Sequence, residues 1–222
     1  LSAAERRQTL ATRFQKARAR TAELVATLSP EDLMVQTVAD GAPAKWHLAH
    51  TSWLFEVAVL IPFSPGYRPA DPAFLDLFAA RTDGGPAPPR VLSRPTAAEI
   101  MRHRDQINGA VLHLIDALDE SLWEAAESAL MMAIAHERRH QERMLLHIKH
   151  ALWCNPLRPA YEEAPDHPHL GAPPDGWLEQ PGGLVEVGRP TPLPGFDHES
   201  PRHRVWLDPY RLASRPVTCG EY

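Results

Sequence analysis

Cysteine is almost missing from this 222-residue chain, with Cys154 and Cys219 the whole supply. Two are too few for a disulfide framework, and their spacing is not that of a thiolate metal site. Long apolar runs are missing too. None approaches the roughly 20 residues that a bilayer span needs, and the N-terminus has no basic-then-apolar leader pattern. The expectation is a cytoplasmic protein with no membrane partner. No basic cluster is present: 23 Lys and Arg stand against 28 Asp and Glu, a formal net charge of −5. That balance argues against nucleic acid as a partner. No internal repeat is visible. With 44% hydrophobic and 23% charged residues, the composition excludes wholesale disorder, collagen and coiled coil.

What the chain has in excess is proline, 23 residues, and histidine, 12 residues. Proline removes a backbone donor and clashes with the preceding helical turn, so its gaps mark where helices can run. Three long stretches contain none: 1–29, 44–61 and 96–155. In the first, Leu10, Phe14, Ala17, Thr21, Leu24 and Leu28 recur at three- and four-residue steps, the stripe of an amphipathic helix. Ser29-Pro30-Glu31-Asp32 then reads as the capped start of a short helix. The second stretch aligns Trp46, His50, Trp53, Leu54 and Val57. The third holds two helices: one opened by the capping box Thr96-Ala-Ala-Glu99 and running to about Leu118, and one from near Glu120 to Leu152, stopped by Asn155-Pro156. These patterns predict an all-α four-helix bundle over 1–155. The 62–95 segment, with eight prolines, is the long connection between the second and third helices, and connections of that length are usually functional. After residue 155 the helical period disappears and 13 prolines follow. Residues 156–180 read as a proline-rich linker. Gly182–Gly188 and His203–Leu207 read as strands opening a second, incomplete domain over 181–222.

The sharpest local signal is His136-Glu137-Arg138-Arg139-His140. Histidines at i and i+4 share a helix face and can reach one metal ion. The same spacing occurs in zinc proteases, where the Glu is the general base. A third ligand does not come from this helix, because His147 lies roughly 10 Å farther along the axis at about 1.5 Å rise per residue. A histidine of Lys45-Trp46-His47-Leu48-Ala49-His50-Thr51, on the second helix, can supply it. Neutral imidazole suits zinc, iron and copper alike.

Several segments in order resemble the ergothioneine-type (EgtB-like) sulfoxide synthases, including the related selenoneine synthases. They are Leu28-Ser-Pro-Glu-Asp32, Lys45-Trp-His-Leu-Ala-His-Thr-Ser-Trp-Leu-Phe-Glu56, Leu92-Ser-Arg-Pro-Thr96, His136-Glu-x-x-His140-Gln-Glu142, Ile148-Lys-His150 and Asn155-Pro-Leu-Arg-Pro-Ala-Tyr161. The tail resembles the start of a sulfatase-modifying-factor (formylglycine-generating-enzyme-like) domain in Pro181–Gly188, Phe196–His203 and Arg215–Tyr222. The resemblance implies a DinB-like four-helix bundle followed by the beginning of that α+β domain. It implies Fe(2+) held by His50, His136 and His140, and oxygen-dependent carbon–sulfur bond formation between hercynine and a cysteine-type thiol. The family's catalytic tyrosine belongs beyond Tyr222, so no catalytic residue is named.

Arg90, Arg94 and Arg139 are the candidate substrate-binding residues, since guanidinium forks grip carboxylates. Arg138 and Arg139 stand where relatives often carry glutamine, and Phe78-Ala-Ala-Arg-Thr-Asp83 departs from the family's run. Selenoneine synthesis, from hercynine and a selenosugar, is the alternative those departures suggest. A DinB-like metal-binding module without oxygenase activity is a further one.

Overall fold

Ser2 begins the first helix by chemistry visible in the sequence. Its hydroxyl accepts from the Glu5 N–H at 3.2 Å, and the Glu5 carboxylate accepts from the Ser2 N–H at 2.7 Å, so two otherwise orphaned donors are satisfied reciprocally. Thr96 and Glu99 repeat the device at the third long helix, at 3.2 and 2.6 Å. The computed structural model describes residues 2–38, 41–79, 93–163, 176–190 and 196–222. The chain forms two compact units, Leu1–Glu162 and Glu163–Tyr222.

The first unit is helical. Its elements are α1 (Ala3–Glu23), α2 (Ala44–Phe55), α3 (Ile61–Phe63), α4 (Pro72–Leu77), α5 (Ala97–Ala117) and α6 (Trp123–Cys154). A π-helical turn, Glu56–Leu60, joins α2 to α3. The four predicted helices correspond to α1, α2 with its π extension, α5 and α6. Two details differ from expectation. The short helix after Ser29 is one 3-10 turn, Asp32–Met34, with the Ser29 hydroxyl accepting from the Asp32 N–H at 3.2 Å. The long connection carries a helix of its own, α4, with Asp71 accepting from the Ala73 N–H and Pro72 in the first turn, where its missing donor costs nothing.

Two apolar clusters fill the interior. One gathers Leu10 and Phe14 of α1, Phe55 and Leu60 from the α2 end, Ile107 and Ile115 of α5, and Leu130 and Ile134 of α6. The other gathers Leu24, Leu48 of α2, Ile100 of α5, and Met144 and Ile148 of α6. On each of the four helices the residues between the clusters are polar and buried: Arg18 and Thr21, Thr51 and Ser52, Arg104, and Glu137 and His140. A polar layer therefore separates two hydrophobic ones. α2 is buried at every position from Ala44 to Ser52, so the single stripe expected for it understates its enclosure. No helix among the described residues is long and apolar enough to cross a membrane.

The second unit holds β1 (Trp177–Gln180), β2 (Gly183–Val187), β3 (His203–Leu207) and β4 (Tyr210–Ala213). They form two antiparallel pairs, β1 with β4 and β2 with β3, the latter matching Val185 with Val205. β2 and β3 are the two predicted strands. β1 lies inside the stretch read as linker, and its four fully exposed residues carry no alternating pattern. Gly182 makes the turn between β1 and β2 possible. Its φ is +71°, and a Cβ there would lie 2.4 Å from the Leu207 carbonyl oxygen, which only glycine avoids. None of the described residues in this unit is buried.

Candidate metal centre

α6 presents His136 and His140 one turn apart, and α2, packed against it, brings His50 to the same point. The three side chains place one potential ligand atom each within 4.8 Å of one another. His50 and His140 are buried, at 2% and 8% exposure, and His136 is half-buried. The His50 ring lies parallel to Trp46, 4.3 Å between centroids and 13° between planes, and to Trp53, at 5.1 Å and 17°. The two indoles thus pack on a candidate ligand and hold its plane.

Hydrogen bonds fix which nitrogen faces the cluster. His50 Nδ1 lies 2.7 Å from the Phe78 carbonyl oxygen. A carbonyl only accepts, so the proton sits on Nδ1 and Nε2 of the neutral ring carries the lone pair a metal needs. His140 Nδ1 lies 2.8 Å from His47 Nδ1. His136 Nδ1 is buried and has no hydrogen-bond partner among the described residues, which is costly unless something else satisfies it.

The electrostatics favour neutral rings. Burial, then the Arg139 charge, pushes His136 down to about 4. Burial and the neighbouring rings of His136, His47 and His50 push His140 lower still. Three converging imidazoles, two of them held uncharged by burial, together with an orphaned nitrogen fit a transition-metal ion, and imidazole alone does not choose among zinc, iron and copper.

Behind the histidines lies a network the sequence pattern did not reveal. Glu137 is fully buried. It accepts from Arg18 at 3.2 Å, Arg104 at 3.1 Å and the Thr21 hydroxyl at 2.6 Å. Arg18 also donates to Asn108 and Ser52, Arg104 to the Leu48 carbonyl and Thr51, and Gln141 to Thr21. Burial alone would raise the Glu137 pKa, but the two guanidiniums outweigh it and hold the carboxyl below its usual value. A carboxylate committed to two arginines and a hydroxyl is not placed to take a proton from water, so the zinc-protease role for this Glu does not fit. The available signal was positional: Arg18 lies four residues from Phe14, and Arg104 four from Ile100, on the buried faces of α1 and α5.

Two of the three candidate substrate residues, Arg94 and Arg139, fall among the described residues. Arg94 lines a cleft with Asp71, Phe74, Glu99, Arg102 and His103, a lining that includes none of the three histidines. Lys45 pins this loop through the Ser93 and Pro95 carbonyls at 3.3 and 3.0 Å. Arg139 is exposed on α6 and bears on His136 through its charge. Arg90 lies outside the described residues. His147 is not part of the cluster, yet it lies 3.4 Å from His47.

A family model described as the DinB superfamily matches residues 13–144, more than half of the chain and a span containing His50, His136, Glu137 and His140. No curated protein matches the chain.

Proposed function

The chain belongs to the DinB superfamily, and from that premise we propose that it is a metal-dependent oxidoreductase acting on small molecules. The observation that carries the reading is the convergence of His50, His136 and His140 to within 4.8 Å. In this reading the helical unit is a four-helix bundle with Fe(2+) as the native ion, and the strands of the second unit open a sulfatase-modifying-factor-like domain. The substrates are hercynine, a cysteine-type thiol and dioxygen, within the cytoplasm.

The proposed reaction balances without an outside reductant. Thiol, imidazole C–H and O2 give a carbon–sulfur bond, one sulfoxide oxygen and one water. Ferrous iron, when bound, supplies the common template and the redox chemistry with oxygen. The protein's own contribution is placement. Phe78 O and the flanking indoles orient His50, burial keeps His136 and His140 uncharged, and the Glu137 network holds α6 against α1, α2 and α5. Three protein ligands leave further coordination positions for reactants.

Aerobic incubation of the iron-loaded full-length protein with hercynine and each candidate donor, read by mass, tests this. A sulfoxide product with the thiol supports it, and product only with a selenosugar supports the selenoneine alternative. Tight iron binding by the full-length protein without turnover of any pair favours a DinB-type metal-binding module without oxygenase activity.

A further inference from the structure

His47 is 3% exposed, sits between two other histidines and belongs to neither the ligand triad nor the Glu137 network. Its Nδ1 lies 2.8 Å from His140 Nδ1, and its Nε2 lies 3.4 Å from His147 Nδ1. We propose that His47 is a positioning residue for His140, accepting its Nδ1–H and so turning its Nε2 lone pair toward the three-histidine site. The inference rests on the metal-binding reading above.

Each neutral imidazole carries one N–H, so of two nitrogens 2.8 Å apart one donates and the other accepts. If His47 donates, the proton of His140 sits on Nε2, and that nitrogen cannot ligate. If His140 donates, its Nε2 is a ligand atom and the proton of His47 moves to Nε2, facing His147. His147 Nδ1 also lies 3.2 Å from the Ala42 carbonyl oxygen, which can only accept. His147 Nδ1 therefore donates to Ala42 in the first arrangement; in the second it accepts from His47 and gives up the Ala42 hydrogen bond, a cost that metal binding at His140 must outweigh. The two arrangements hold equal numbers of protons and no net charge. Metal binding selects the second, with His147 protonated on Nε2. The backbone holds this chain of rings in place: a Cβ on Gly41 would come within 3.2 Å of the His147 ring.

Partners that orient a ligand histidine typically change metal affinity by roughly 10–100-fold when removed. Zinc affinity, measured by chelator competition on the whole chain, is compared for wild type, His47→Leu and His47→Asn, with circular dichroism reporting the fold. The asparagine side-chain oxygen can accept where Nδ1 did, so His47→Asn is expected within about threefold of wild type and His47→Leu at least about tenfold weaker. Nitrogen-15 NMR of the zinc-loaded protein is expected to find His140 protonated on Nδ1. A leucine variant as tight as wild type, an asparagine variant as weak as the leucine one, or an unprotonated His140 Nδ1 overturns the proposal. If wild type binds no zinc, or His50→Ala binds it equally well, the metal reading fails and this inference falls with it.

Discussion

Replacing Glu137 with glutamine keeps the shape of the side chain and removes its charge. The amide oxygen can still accept from Thr21 and Arg104, at 2.6 and 3.1 Å in the native structure. The amide nitrogen then faces the Arg18 guanidinium, a donor against a donor at about the native 3.2 Å. Two buried guanidiniums, each at most 4% exposed, are left without a counter-charge. Breaking a buried pair by removing one partner costs about 3–5 kcal/mol. For a chain of this size each kcal/mol lowers the melting temperature by about 2–4 °C, so the expected drop is about 6–20 °C. Thermal and urea melts followed by helical circular dichroism measure it. The pH dependence gives a second readout. A carboxyl held below its unfolded value contributes stability that is present above the unfolded pKa and lost as pH falls through the folded one. Wild type therefore loses more stability than Glu137→Gln as pH drops below about 4.5, and the two curves converge in acid. A variant within about 1 kcal/mol of wild type at neutral pH refutes the reasoning, because the network would then be incidental to the fold.

Single alanine replacements of His50, His136 and His140 are each expected to lower iron occupancy sharply, measured by elemental analysis; full retention in His50→Ala would remove α2 from the site. Arg139→Gln takes away one of the charges that depress His136, so its pKa in the metal-free protein, followed by NMR, should rise from about 4 while burial keeps it below the free value of about 6.5. Thr96→Ala removes the hydroxyl half of the α5 capping box and is expected to cost about 0.5–2 kcal/mol in urea denaturation. Gly182→Ala should destabilise the strand pairs of the second unit, lowering amide exchange protection in β2 and β3 and leaving α1–α6 unchanged.

The helices were legible because their signals are local. Apolar spacing marked α1, the Thr96–Glu99 box marked the start of α5, and Asn155-Pro156 marked the end of α6. The i,i+4 histidine pair was legible for the same reason. Sequence spacing left the third ligand open between His47 and His50, since that choice depends on how far α2 slides and rotates against α6. The structure brings His50 to the pair and sets His47 against the back of His140. Arg18 and Arg104 were invisible as a network because a charged residue on a helix reads as solvated until its partner, 119 or 33 residues away, is known. β1 and β4 escaped because neither buries a face, and a strand exposed on both sides leaves no alternation to read.

The polar layer between the two apolar clusters also acts as a vernier for the helices. Hydrophobic stripes alone tolerate sliding, since leucine meets leucine again about one turn, 5.4 Å, farther along. A slip of that size here would drive Arg18, Arg104 and Glu137 into hydrocarbon and separate their charges. It would also carry His50 out of reach of His136 and His140, whose ligand atoms now lie within 4.8 Å. One set of buried charges thus indexes the axial position of every long helix, and the coordination geometry inherits that precision. Either apolar cluster can then exchange one side chain for another of similar volume without disturbing the alignment of the three imidazoles.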